Sequence, residues 1–301
     1  MPPIIEVKNL RKTYGATVAV DDISFEVEEG EIFGLLGPNG AGKTTTVECL
    51  QALRDPDSGS IRVLGLEPRT EAMELRKLIG SQLQESALPD RIKVWEALDL
   101  FASLTADALD WRVLLEQWGL AGKQKASFGS LSGGQRQRLF IALALVNKPR
   151  VVFLDEMTTG LDPAARRVAW DLIRSVRERG TTVVLVTHFM DEAEKLCDRV
   201  AIIDRGRVVA ADSPQGLVTS LAGEVRVVFT AGQPDIAWLE KVPHVSGVLR
   251  NGPRVEVTGS GPVLATVAAA LVQRGIVPPD LRLEQPSLED VFLKLTQRSG
   301  E

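Results

Sequence analysis

Only two cysteines, two histidines and one tyrosine occur in the 301 residues, and aromatic side chains make up 5% of the chain. Cys49 and Cys197 sit in helical patterns with no metal-ligand spacing, so they read as buried free thiols in a reducing compartment. Although 44% of the residues are hydrophobic, no apolar run approaches the roughly 20 residues of a transmembrane helix. The chain is therefore not expected to form a pore by itself. The Met1-Pro2-Pro3 start lacks a basic segment followed by an apolar one, and no secretion signal is predicted. A formal net charge of −5 weighs against broad nucleic-acid binding, and no nucleic-acid partner is expected. The length suits one large α/β domain and a smaller one.

Chemistry is concentrated in a few short stretches. Gly37-Pro38-Asn39-Gly40-Ala41-Gly42-Lys43-Thr44 fits G-x-x-x-x-G-K-[ST], a loop whose glycines let backbone N–H groups approach phosphate oxygens at the positive end of the following helix. The context agrees: the apolar run Glu31 to Leu36 predicts a strand before it, and Thr44 to Leu53 a helix after it. Leu131-Ser132-Gly133-Gly134-Gln135 opens with a serine placed to cap a helix, and its glycines would let backbone donors close over a phosphate. Val151 to Glu156 is an apolar run ending in two carboxylates, as a buried parallel strand delivering acids at its C-terminal end would be. Taken singly, several of these have plainer readings. The Ser132 motif could be a turn and a cap, Asp155-Glu156 a solvated acidic pair, His188 a polar strand end, Tyr14 a packing aromatic, and Gln84 a loop residue without a role.

Their joint order and spacing resembles the ATP-binding cassette (ABC) family, over residues 4 to 215. The resemblance implies an α/β P-loop NTPase cassette with a β-subdomain, a RecA-like parallel-sheet core and a helical subdomain. In that frame Tyr14 would stack on adenine, and Lys43 with the backbone of Asn39, Gly40, Ala41, Gly42, Thr44 and Thr45 would cradle the phosphates. Thr44, Gln84 and Asp155 would hold Mg²⁺. Glu156 would be the general base, and His188 the switch histidine that contacts the γ-phosphate. Ser132, Gly134 and Gln135 would cover that phosphate from a second subunit, with Asp162 in the D-loop. Lys43, Gln84, Glu156 and His188 form the implied catalytic set. Met157 departs from the proline usual after the catalytic glutamate, with neither carboxylate lost. Implied partners are ATP, a second cassette in a homodimer, and a separate integral membrane permease at the cytoplasmic face of the membrane. Soluble ABC ATPases of DNA repair or translation would need a long coiled-coil insertion or two cassettes in one chain, and neither is here.

Along the chain, Ile4 to Val7 and Ile23 to Val27 predict antiparallel strands, and Val94 to Thr105 and Leu109 to Trp118 predict helices. Trp95, Leu98, Phe101 and Ala102 would form one stripe of the first of these helices. The expected division is a cassette over 1–220 and a small α+β domain over 221–301. For the latter, predicted strands at Glu224 to Thr230, Val245 to Leu249, Arg254 to Thr258 and Leu281 to Glu284, with helices at Pro234 to Lys241 and Val263 to Arg274, suggest a ferredoxin-like βαββαβ order. The tail from Ser287 predicts an amphipathic helix with the stripe Leu288, Val291, Phe292, Leu295. This ending, with Thr187 to Glu194, resembles the daunorubicin-resistance type of bacterial exporter ATPase.

Overall fold

A computed structural model describes residues 2–82, 87–222, 225–232 and 236–298, in two compact units, Met1–Pro214 and Gln215–Glu301. The first unit opens with β1 (Ile5–Tyr14) and β2 (Thr17–Val27), an antiparallel pair. Gly15, at φ 58°, supplies the left-handed residue that a tight hairpin turn needs. β3 (Ile32–Leu36) follows, every residue buried, and then β4 (Ser58–Val63), which pairs with β1 to complete a three-stranded sheet.

The larger sheet runs β5 (Ile79–Gln82), β6 (Val151–Asp155), β7 (Thr182–Thr187), β3, β8 (Arg199–Asp204), β9 (Arg207–Asp212). Its first five strands are parallel and β9 is antiparallel to β8. β3, β6 and β7 have no exposed residue, which is why they read as unbroken apolar runs: helices cover both faces of such a sheet. Parallel pairing brings the C-terminal ends of β3, β6 and β7 side by side, and the phosphate loop, Asp155-Glu156 and His188 all leave the sheet there.

Helices α1 (Lys43–Leu50), α2 (Ala72–Leu78), α3 (Val94–Ser103), α4 (Trp111–Gln117), α5 (Gly133–Ala144), α6 (Pro163–Glu178) and α7 (Met190–Leu196) complete the unit. Two starts and ends differ from expectation for local reasons. α1 stops at Leu50 because Ala52 turns left-handed, at φ 57°. α4 starts at Trp111 because Asp110 caps it, accepting from the Arg112 N–H at 2.9 Å. The expected stripe on α3 is rotated: Val94, Ala97 and Leu98 are buried while Phe101 is exposed. Trp95 leans on Trp111 instead, with ring centroids 6.3 Å apart.

In the second unit the sheet order is β11 (Val245–Asn251), β12 (Arg254–Gly259), β10 (Val225–Thr230), β13 (Arg282–Glu284), all antiparallel. Val227, Phe229, Val255 and Val257 share one core with Val263, Val267 and Leu271 of helix Val263–Gln273. Where Pro234 to Lys241 predicts a helix, the described part is a single 3-10 segment, Ala237–Lys241, and residues 233–235 and Glu224 lie outside the described residues. The final helix, Leu288–Arg298, is capped reciprocally: Ser287 N–H donates to Asp290 Oδ2 at 2.8 Å and Asp290 N–H to Ser287 Oγ at 3.3 Å. Of its stripe, Leu288 and Val291 are fully buried, and Phe292 and Leu295 are half-buried.

Candidate active site

Between β3 and α1 the chain folds back so tightly that two positions admit no side chain. A Cβ on Gly42 (φ 102°) would stand 2.3 Å from Ala19 O, and one on Gly37 would stand 2.2 Å from Ile203 O. Lys43 is buried and reaches back to donate to Gly37 O at 2.9 Å and Pro38 O at 3.0 Å. Burial lowers its pKa, against the opposing pull of Glu156 and Asp155. Ala41 is turned into the core, and its N–H donates to Pro38 O at 3.2 Å. Tyr14, Asn39, Gly40, Gly42, Lys43, Thr44, Thr45 and Glu156 together line a cleft of about 440 Å³. Tyr14 stands at its rim, with the Arg54 guanidinium 5.4 Å and the Lys12 ammonium 5.8 Å from the ring centroid. Ala19 lines the cleft as well, and no signal in a single sequence marks it.

Asp155 ends β6 almost fully buried. Its Oδ2 accepts from Thr44 Oγ1 across a long 3.4 Å, and its Oδ1 has no hydrogen-bond partner among the described residues. Burial first, and then the adjacent Glu156 charge, push its pKa up to about 6. A buried carboxylate oxygen without a donor, beside a threonine hydroxyl, is the donor set of a hard divalent cation. Mg²⁺ fits these residues.

Glu156 adopts a left-handed backbone, at φ 46°, which is uncommon outside glycine and asparagine and marks sites that the surroundings hold in place. Its N–H is fixed on Val186 O of β7 at 2.9 Å. That twist aims its carboxylate at His188, whose Nδ1 lies 3.1 Å from Glu156 Oε1. The two residues are 32 apart in sequence and meet because β6 and β7 are neighbours.

The second group of expected residues lies elsewhere in the unit. Ser132, Gly134 and Asp162 line a separate cleft of about 290 Å³ that shares no residue with the first. Ser132 caps α5 in a closed box: Gln135 N–H donates to its Oγ at 3.4 Å, and Ser132 N–H donates to Gln135 Oε1 at 3.0 Å. The Gln135 side chain is thus engaged in its own cap. Asp162 caps α6, its Oδ1 accepting from the Ala164 and Ala165 N–H groups, both at 2.9 Å. Gln84 lies outside the described residues.

The family model described as ABC transporter matches residues 20–159. The chain is 40% identical to Nod factor export ATP-binding protein I of Ralstonia nicotianae, across 98% of this chain and 94% of that protein. It is 38% identical to Daunorubicin resistance ATP-binding protein DrrA2 of Streptomyces coeruleorubidus, across 99% and 96%. The chain belongs to the ABC transporter family. Among solved structures, an ATP-binding subunit of an ABC transporter superposes with TM-score 0.66 at 27% identity, covering 73% of this chain and 93% of that one. A dimeric ABC cassette in a post-hydrolysis state, bound to ADP and Pi, superposes with TM-score 0.64 at 26% identity, covering 69% and 98%. As an ABC ATP-binding subunit the chain binds and hydrolyses ATP.

In this ATPase the buried acid works against the fold. Asp155 holds its proton to about pH 6 when folded, against an ordinary value of 3.8. The native state therefore binds more protons, and stability falls as pH rises from about 4 to 6, with the full penalty present at neutral pH. A shift of that size corresponds to about 2 to 3 kcal/mol, part of which a neutral amide would recover. Asp155→Asn should raise the melting temperature of the nucleotide-free chain at pH 7.5 by about 2 °C or more and flatten its dependence between pH 4 and 7, as scanning calorimetry would read. A lower melting temperature with an unaltered pH profile would refute the assignment.

Proposed function

We propose that two copies of the chain close head to tail over two ATP molecules and, on hydrolysis, reopen, driving export through a separate integral membrane permease. The observation that carries this is the division of the site. Tyr14, the phosphate loop and the Glu156–His188 pair line one cleft, while Ser132, Gly134 and Asp162 line another. Neither cleft has the full set of phosphate contacts, and a two-fold pairing supplies each with the other's half.

Phosphoryl transfer is catalysed chiefly by positioning and charge stabilisation. Lys43 would exchange the carbonyls of Gly37 and Pro38 for phosphate oxygens, joined by the N–H groups from Asn39 to Thr45. Thr44 and Asp155, with Gln84, would hold Mg²⁺, which when bound neutralises charge on the phosphates. Glu156 would take a proton from the attacking water, with His188 fixing its carboxylate through Nδ1 and contacting the γ-phosphate. Gly134 and the capped Ser132 would bring the N-terminus of α5 to the same phosphate across the dimer. Tyr14 would stack on adenine.

The export direction draws on the names of the relatives, one exporting Nod factor and another conferring daunorubicin resistance. Among the described residues no helix is long and apolar enough to cross a membrane, and a permease would supply that part. Its docking place is a groove of about 520 Å³ lined by Ala87 and Leu88 and by Phe101 and Leu104 of the helical subdomain. Leu104 is 76% exposed there, and exposed apolar side chains gathered in a concave surface mark interaction sites. The second unit, with the strand order second-third-first-fourth, is proposed as a ferredoxin-like module that stabilises or regulates the dimer. Leu104→Asp should move the chain from the membrane fraction of its native host into the soluble fraction, by immunoblot of both. Undiminished membrane retention, with folding verified by circular dichroism, would contradict the docking surface.

A further inference from the structure

Beneath the hydrolytic pair lies a carboxyl for which the proposed mechanism has no use. Glu192, four residues beyond His188 on α7, is fully buried, a position that a glutamate almost never takes without partners. Its partners come from three segments, each carrying part of the site. Trp170 of α6 donates its indole N–H to Glu192 Oε1 at 3.0 Å, and α6 is the helix that Asp162 caps. Thr187, fully buried, immediately precedes His188. Thr158, also fully buried, stands two residues beyond Glu156. Burial raises the Glu192 pKa, and the nearby hydroxyls of Thr187 and Thr158 and the Trp170 N–H oppose that rise by favouring the carboxylate.

The cluster is incompletely bonded at one point. Thr187 Oγ1 accepts from Phe189 N–H at 3.0 Å, so its hydroxyl hydrogen remains for Glu192. By contrast, Glu192 Oε2 and Thr158 Oγ1 are both shut off from solvent, and neither makes a hydrogen bond of full geometry among the described residues. A buried acceptor and a buried donor are costly to leave short of a bond, and the Thr158 hydroxyl stands near enough to Glu192 to favour its carboxylate.

On the reading of Glu156 and His188 as the hydrolytic pair, we infer that Glu192 is a positioning residue, whose carboxylate fixes the Glu156 loop against His188 through Thr158 and Thr187. Through Trp170 the same carboxylate ties that pair to the helix that Asp162 starts, so the D-loop and the base move together. Glu192 is not among the residues that line the cleft of Tyr14 and the phosphate loop. Its effect is on where Glu156 stands, and misplacement of a reacting group by about 1 Å costs on the order of 100-fold in rate.

The test compares steady-state ATP hydrolysis by Thr158→Val, Glu192→Gln, their double variant and Glu156→Gln, all full length. Valine keeps the shape of threonine and removes the hydroxyl, while glutamine keeps an acceptor for Trp170 and replaces the other oxygen with a donor. Both single variants should lower kcat by about 10- to 100-fold with KM for ATP within about twofold of the wild type. The double variant should be no slower than the slower single one, because both disable one contact. Wild-type kcat in the single variants, with Glu156→Gln inactive, would overturn the role of Glu192 alone. So would a fall in kcat that tracks a rise in KM and a fall in melting temperature, the pattern of a merely structural group. Turnover by Glu156→Gln would instead overturn the assignment of the hydrolytic pair. Should Glu192→Gln fail to fold, Thr158→Val decides by its kcat and KM.

Discussion

Glu156→Gln is expected to stop steady-state hydrolysis while ATP stays bound. Glutamine fills the same volume, and its amide oxygen can still accept from His188 Nδ1, at the 3.1 Å seen for the carboxylate. What it loses is the capacity to take a proton. A positioned general base contributes about 10² to 10⁴ in rate, and a loss near the middle of that range, about 4 kcal/mol in the barrier, leaves turnover at background. The phosphate contacts proposed for Lys43 and Thr44 do not depend on that proton. The variant should therefore elute with ATP as a dimer on gel filtration, and phosphate release should be absent. Release at the wild-type rate would remove Glu156 from the mechanism.

Two inactive variants should restore hydrolysis when mixed. A Cβ added to Gly134 would meet Ala165 Cβ at 3.5 Å and Leu161 Cδ2 at 3.9 Å, ordinary contacts that the chain's own fold tolerates. Gly134→Asp therefore obstructs the face turned to a neighbour and puts a negative charge where a phosphate would come. Lys43→Ala removes the phosphate-loop cation. Either variant alone damages both sites of a homodimer. A mixed dimer concentrates both lesions in one site and leaves the other intact. With half of the dimers mixed and one working site in each, about a quarter of the wild-type rate should return if the sites act independently in a two-fold dimer. A colorimetric phosphate assay on a one-to-one mixture, with hetero-association confirmed by tagged pull-down, reads this directly. Association without recovery would show that Gly134 and Lys43 do not serve one site.

Most of the cassette was legible because its signals are local. The apolar runs of β3, β6 and β7 correspond to strands buried on both faces, and Gly37 and Gly42 of the phosphate loop stand where neighbouring backbone leaves no room for a Cβ. What escaped depends on packing across the chain. Phe101 keeps helical spacing with Leu98, yet α3 is turned so that Val94 and Ala97 face inward, which only the positions of α4 and α5 decide. Ala19 contributes to the cleft through a β-strand that no phosphate motif reaches. Gln135 has the spacing of a capping box with Ser132, and its bond to Ser132 N–H turns its amide onto the cap. Glu192 sits in a sequence of acidic helix residues, Asp191 to Glu194, and nothing in that run separates the buried carboxyl from its neighbours. Ala237–Lys241 is a 3-10 segment in place of an α-helix, since so short a stretch has little cooperativity to hold α-helical bonds.

If two copies pair as proposed, the closed box between Ser132 and Gln135 also bears on how fast they meet. A loop that acquired its shape only on contact would lose conformational freedom at that moment, and association would be slowed by the search for the right conformer. Here the start of α5 is already locked by two reciprocal bonds, at 3.4 Å and 3.0 Å, in a single copy. The surface it offers is rigid before encounter. Pairing then becomes a matter of orientation and charge, so that ionic strength, more than loop rearrangement, sets the rate at which the two halves find each other.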